Sequence, residues 1–133
     1  MRRVAANKVY FSPTTAYPNH ILEICGKRIV NHFGLEDELE LTEWLGGIII
    51  IADEKTVSQF VDDIRQTTFT PSHLDDILQY IYSTPKPNSP RENSGNRKIA
   101  LHLSGIDVSM GKILDKIIPV TLVEPDLRDT PEP

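Results

Sequence analysis

Four consecutive isoleucines, Ile48 to Ile51, follow two glycines towards the end of the N-terminal half. A continuous apolar run of this length is typical of a strand that is buried on both faces. Such a strand needs a partner strand on each side and a covering layer on each face, so it predicts a sheet at the centre of the fold. The run is far too short to cross a bilayer, and we expect no membrane partner.

The segment before the isoleucines also has the pattern of β structure. Val4–Phe11 is rich in β-branched and aromatic residues. His20–Ile24 and Arg28–Phe33 flank Gly26, which predicts a tight hairpin because glycine supplies the positive φ that such turns need. The acidic stretch Glu36–Glu43 is predicted to be a turn-like connection.

Apolar residues change to a helical period after the isoleucine run. One helix is predicted to begin after Asp53, whose carboxylate can accept the free amides of the first turn. The second is predicted to be capped by Thr70, with Pro71 in its first turn, and to end at Thr84-Pro85. The stripes that define the two helices are Val57, Phe60, Val61 and Ile64, and Leu74, Ile77, Leu78 and Ile81.

The C-terminal part returns to strand pattern. Residues 84–97 contain three prolines and no periodicity, so they are predicted to form a flexible loop. Lys98–Leu103 alternates in polarity, and Ile113-Leu114 and Ile117–Val123 are apolar again. Pro119 cannot donate a hydrogen bond to a neighbouring strand, which indicates an edge strand.

We therefore predict a single α+β domain over residues 1–124: a small β-sandwich or β-sheet formed by the N- and C-terminal strands, with two inserted α-helices. Its parts are the N-terminal strands 1–52, the helical pair 53–83, the flexible loop 84–97 and the C-terminal strands 98–124. Residues 125–133, acidic and rich in proline, are predicted to be a disordered tail.

Composition limits the classes of partner. The formal net charge is −5 and the pI is near 5.3, which argues against nucleic acid because phosphate binding needs a basic surface. Cys25 is the single cysteine, so the chain has no internal disulfide and a reducing, cytoplasmic location is expected. The basic N-terminus is not followed by an apolar segment of the kind that a secretory signal contains.

No catalytic motif is evident, and we assign no catalytic, cofactor-binding or metal-binding residue. The four histidines are too far apart in sequence for a helical ligand pair, although His20 and His102 could meet across a sheet. Cys25 has no identified base. Ser109 lacks the glycine that a nucleophile elbow requires two residues earlier, since that position is Asp107.

Aromatic residues give the one hint of a contact surface. Tyr and Trp are enriched at interfaces. Phe69, Tyr80 and Tyr82 are predicted to contact a partner, whereas core packing is expected for Trp44.

Two segments resemble the beginning and end of amidohydrolase-superfamily enzymes: MRRVAANKVYFSPTTAYPNHILEICGKRIVNHFGL with TEWLGGIIII, and IALHLSGIDVSMGKILDKIIPVTLV. In that family the two ends form a small β-sandwich composite domain beside a metal-binding barrel. The resemblance implies that this composite domain is present here without the barrel. After Ile51 the chain lacks the family's His-any-His pair, and residues 52–98 are far fewer than the about 200 that a (β/α)₈ barrel needs.

The leading hypothesis is therefore a non-catalytic structural or protein-interaction domain without a cofactor. Its expected partner is a second copy, giving a homodimer, or another protein such as an amidohydrolase. Two alternatives stay open: a small-ligand-binding module with a cleft between helices and sheet, and a metal-dependent, hydrolase-related protein.

Overall fold

The computed structural model describes residues 1–35, 42–83 and 97–123. Within these ranges the chain forms one mixed β-sheet and two α-helices, which confirms the predicted α+β class. Residues 36–41 of the acidic connection, the predicted loop up to residue 96 and the predicted tail 125–133 lie outside the described ranges.

The described strands share a single sheet in which both ends of the chain take part. Its order is β3-β2-β1-β5-β6-β7, and β4 pairs in parallel with β1. The elements are β1 (Arg2–Tyr10), β2 (Ala16–Cys25), β3 (Arg28–Gly34), β4 (Thr42–Trp44), β5 (Ile48–Asp53), α1 (Glu54–Arg65), α2 (Leu74–Ser83), β6 (Lys98–Ile106) and β7 (Ile113–Thr121).

The isoleucine strand is buried on both faces, as its sequence predicts. Ile48 and Ile50 contact the helices, while Ile49 and Ile51 belong to a second cluster on the opposite face. All four side chains are buried. β5 lies between β1 and β6, so the central strand joins the N-terminal strands to the C-terminal ones.

The second cluster occupies the concave side of a curved sheet. β3 is separated from β6 by three strands in the sheet order, and yet the two strands approach each other. The cluster consists of apolar side chains from β1, β2, β5 and β6 and of the first residue after β7. These are Val4, Ala6, Val9, Leu22, Ile24, Ile49, Ile51, Ala100 and Leu122.

The hairpin between β2 and β3 turns at Gly26, as predicted. Gly26 has φ +65°, and the strands resume at once with Cys25 opposite Arg28. The register then shifts between Glu23 and Ile24. A β-bulge of this kind moves every later side chain of one strand to the other face.

Helix α1 begins after Asp53 as predicted but lacks the predicted capping bond, and α2 begins later than predicted. Asp53 precedes α1, but its side chain makes no capping hydrogen bond and instead pairs with the Lys98 ammonium at 3.0 Å. α2 begins at Leu74 rather than after Thr70.

The cap of α2 is a histidine. The His73 Nδ1 atom accepts a hydrogen bond from the Asp75 amide at 3.1 Å, and its Nε2 atom lies 2.9 Å from the Met110 carbonyl. The predicted cap at Thr70 and Pro71 is therefore wrong. The same His73 ring caps α2 and contacts the loop between β6 and β7.

The C-terminal strands differ from prediction in extent. The predicted segments Ile113-Leu114 and Ile117–Val123 are joined in one strand, β7, which ends at Thr121 and lies at the edge of the sheet as Pro119 indicated. Thr42 and Glu43 belong to β4 rather than to a turn. Trp44 is not in the core, because 53% of it is exposed.

Candidate functional site

The predicted contact residues Phe69 and Tyr80 lie together beside α1. Their rings stack with centroids 4.7 Å apart, and Phe60 meets both rings edge-on. The Tyr80 hydroxyl donates a hydrogen bond to Asp63. Burial and this carboxylate raise the pKa of Tyr80 to about 12. The pair therefore joins the end of α1 to α2.

Tyr82, the third predicted contact residue, points into the sheet. Its hydroxyl lies 2.7 Å from the Ile51 carbonyl oxygen and 3.2 Å from that of Tyr10, so it donates to the main chain of two adjacent strands. Burial raises the pKa of Tyr82. Phe69, Tyr80 and Tyr82 are all only partly exposed, and each has contacts within the molecule.

The largest exposed aliphatic side chains of the sheet lie on β7. Leu114 is 65% exposed, Ile118 is 55% exposed and Val120 is 48% exposed. Ile118 and Val120 are two residues apart and so share one face of the strand. Register places them beside Ser104 and His102 of β6, on the face opposite the helices. Sequence analysis missed this surface, because alternation alone does not show which face is covered.

Pro119 lies between these two residues and affects the free edge of the sheet. The Leu122 amide donates to the Ala100 carbonyl at 2.9 Å, and hydrogen-bonded and non-hydrogen-bonded pairs alternate along an antiparallel ladder. Pro119, opposite Leu103, is therefore in a non-hydrogen-bonded pair, and its backbone nitrogen and carbonyl oxygen point away from β6. Because proline has no backbone N–H, the free edge has one hydrogen-bond donor fewer at this position, and this disfavours pairing with a further strand.

A second group of polar residues lies at the opposite end of the strand order. The His20 Nε2 atom of β2 is 3.0 Å from the His32 Nδ1 atom of β3. The Tyr17 ring stacks on His20 with centroids 4.8 Å apart, and the Phe11 ring lies 4.5 Å from His32. His20 is buried and His32 is exposed.

The histidine pair depends on the bulge in the hairpin. The register at the turn, Cys25 opposite Arg28, would place Ile21 opposite His32, and His20 and His32 would then lie on different faces. After the bulge, Leu22 is opposite His32, so His32 shares a face with His20. Burial, and after it the nearby His32, lower the pKa of His20.

The other histidines have structural contacts. His102 does not meet His20; its Nε2 atom lies 3.0 Å from the Gly46 carbonyl oxygen. His73 caps α2 as described above.

Within the part of the chain that the structure describes, Ser109 is paired with a carboxylate in a turn and not with a histidine. The Ser109 hydroxyl donates to the Asp107 carboxylate at 3.1 Å, in a turn where Asp107 also accepts the Ser109 and Met110 amides. These bonds lower the pKa of Asp107. Cys25 is exposed at the end of β2.

Across residues 1–35, 42–83 and 97–123, no three His, Cys, Asp or Glu side chains are grouped so that they could hold one metal ion. Neither helix in these ranges has the length and apolar character needed to cross a membrane. Comparison of the chain with family models, curated proteins and solved structures found no match.

Proposed function

We propose that this chain is a non-catalytic protein-interaction domain that forms a homodimer through β7. The contact uses the face of β7 that points away from the helices and carries Leu114, Ile118 and Val120, here called the outer face. The observation behind the proposal is the exposure of Leu114, Ile118 and Val120 on one strand at the edge of the sheet. Aliphatic side chains on a strand are stabilising when they are covered, and exposed groups of them mark interaction sites.

The chemistry of β7 favours a second copy as the partner. Asp115 and Lys116, both exposed, lie between Leu114 and Ile118. Of these two, only Lys116 shares the face of Leu114 and Ile118, because neighbouring side chains of a strand point to opposite faces. A two-fold axis near Ile118 would place the same apolar residues of the two copies against each other, because a two-fold interface repeats the same contacts in reverse. The apolar residues on either side would then cover one another.

The contact is expected to use side chains rather than the backbone edge. Pro119 removes a donor from the free edge of β7, so continuous strand pairing between copies is disfavoured. Ile118 and Val120 project perpendicular to that edge and are available for packing of one face against another.

We also infer kinship with the composite domain of amidohydrolases. The resemblance requires the first and last segments of the chain to share one sheet, and the position of β5 between β1 and β6 supports this. On this proposal the helical pair α1–α2 covers the sheet face that the enzymes' barrel would otherwise occupy. A cytoplasmic location is part of the proposal and rests on the single cysteine.

Sedimentation equilibrium of the full chain tests the homodimer. We expect a reversible monomer–dimer equilibrium in the micromolar range. The double variant Ile118→Lys/Val120→Lys should be monomeric, because two buried ammonium groups would oppose each other across the interface. The matched control is Val30→Lys on β3, which is 45% exposed at the other edge of the sheet and should leave the dimer intact.

Two outcomes would refute the proposal. One is a wild-type chain that stays monomeric at every concentration. The other is loss of the dimer in Val30→Lys to the same degree as in the double variant. A stable complex of a monomeric wild-type chain with a purified amidohydrolase, abolished by the double variant, would keep β7 as the contact surface but replace the homodimer with a different partner.

A further inference from the structure

The arrangement of His20 and His32 makes the two imidazoles a candidate ligand pair. Their nearest nitrogen atoms, His20 Nε2 and His32 Nδ1, are 3.0 Å apart, and the ring planes are inclined by 46°. Two imidazoles that face each other in this way share one proton between two lone pairs. A metal ion placed to one side of the line between the nitrogens can bind both lone pairs once that proton is released.

We propose that His20 and His32 bind a late first-row divalent transition ion such as Zn²⁺ or Cu²⁺. Imidazole nitrogen suits these ions, with metal–nitrogen distances near 2.0–2.1 Å for zinc. Two such bonds at angles of about 90–110° separate the nitrogens by about 2.9–3.4 Å. The separation in this structure lies within that interval, so the two nitrogen atoms are already spaced for one ion. The ion would lie beside the line that joins them, and each ring would tilt towards it.

The surroundings hold both rings in place. Tyr17 stacks on His20 with an interplanar angle of 20°, and Phe11 packs against both histidines. Rigid placement lowers the entropic cost of bringing two ligands to one ion.

The exposure of His32 gives the ion a route from solvent. No third His, Cys, Asp or Glu ligand is grouped with the pair in the described parts of the chain. Water would therefore occupy the remaining positions, which defines an open and exchangeable site. The site is on β2 and β3, whereas the proposed contact surface is on β7.

Equilibrium dialysis of the full, tag-free chain against Zn²⁺ alone tests the proposal. We expect about one ion per chain in the wild type. In His32→Gln we expect the affinity for Zn²⁺ to fall by at least about tenfold. Loss of a ligand costs at least as much as loss of a residue that hydrogen-bonds to a ligand. His73→Asn is the matched control, because asparagine can replace the cap of α2 while the pair stays intact.

A second measurement does not depend on any variant. In ¹⁵N spectra of the wild-type imidazoles, Zn²⁺ should move the signals of His20 and His32 and leave those of His73 and His102 in place. Absence of binding, equal binding by His32→Gln, or shifts confined to His73 and His102 would each overturn the site.

Discussion

The side-chain oxygen of Asn7 accepts a hydrogen bond from the Gly47 amide at 2.7 Å, and this contact fixes the junction between β4 and β5 against β1. The Asn7 and Lys8 amides both lie within hydrogen-bonding distance of the Gly47 carbonyl oxygen, at 3.1 and 3.3 Å. Between the pairs Ala5–Trp44 and Lys8–Ile48, β1 has two residues and the facing segment has three, so the extra residue of this β-bulge lies between β4 and β5. The bulge lets one continuous edge of β1 pair first with β4 and then with β5.

Gly47→Ala should lower the free energy of unfolding by about 2–4 kcal/mol. Gly47 has φ +64°, and an added Cβ would lie 2.8 Å from the Leu103 carbonyl oxygen. Urea denaturation measures the change. Gly34→Ala, with no atom near its added Cβ and no positive φ, should be close to wild type, and Gly26→Ala, strained only by its φ, should lose about 1 kcal/mol. Equal losses of stability in Gly34→Ala and Gly47→Ala would contradict the close approach of Gly47 to the Leu103 carbonyl oxygen.

Tyr82→Phe should lower the free energy of unfolding by about 1–2 kcal/mol, because the partly buried hydroxyl donates to strand carbonyl oxygens. Thermal and urea denaturation give the value. The oligomeric state should not change, since the hydroxyl faces the sheet. If the variant kept full stability but lost self-association, Tyr82 would belong to a partner contact instead.

Stability should fall as the pH drops below the ordinary histidine pKa of 6.5, in part because of His20. In the unfolded chain His20 takes up a proton near that value, whereas burial and the facing His32 hold its folded pKa lower. The unfolded state then binds more protons and is favoured, until the pH passes below the folded pKa. Urea denaturation between pH 7.5 and 5.5 measures the slope, and His20→Gln should have the shallower one. If the stability of wild type and of His20→Gln changed equally with pH, His20 would not contribute to the pH dependence.

Pro119→Val should increase self-association beyond the dimer. Valine restores a backbone donor on the outward edge of β7, between two exposed aliphatic residues. Light scattering over time should show growth of larger species. Adding Ile118→Lys to the same variant should suppress that growth, since a charge on an edge strand opposes pairing. A Pro119→Val protein as well behaved as the wild type would mean that proline does not protect this edge.

Local sequence determined much of the architecture. The isoleucine run fixed a doubly buried strand, because four adjacent apolar side chains point alternately to both faces. The period of Val57, Phe60 and Val61 fixed the buried side of α1. Gly26 marked the hairpin, and Pro119 marked the edge. Each of these features depends on residues that are close together in the chain, so the local sequence was sufficient to predict it.

Caps and exposure depended on distant residues. His73 caps α2 in a place where its ring also meets the main chain at Met110. Trp44 is exposed although its size favours burial. The outer face of β7 is open because the helices cover the other side, which no local pattern in the strand records.

The histidine pair shows most directly what only the tertiary structure decided. The turn at Gly26 is evident from the sequence, and its register alone would place His20 and His32 on opposite faces. One bulge between Glu23 and Ile24 brings them to the same face and to 3.0 Å. A shift of a single residue inverts every side chain beyond it, and its position is set by packing of the whole sheet rather than by the residues at the turn.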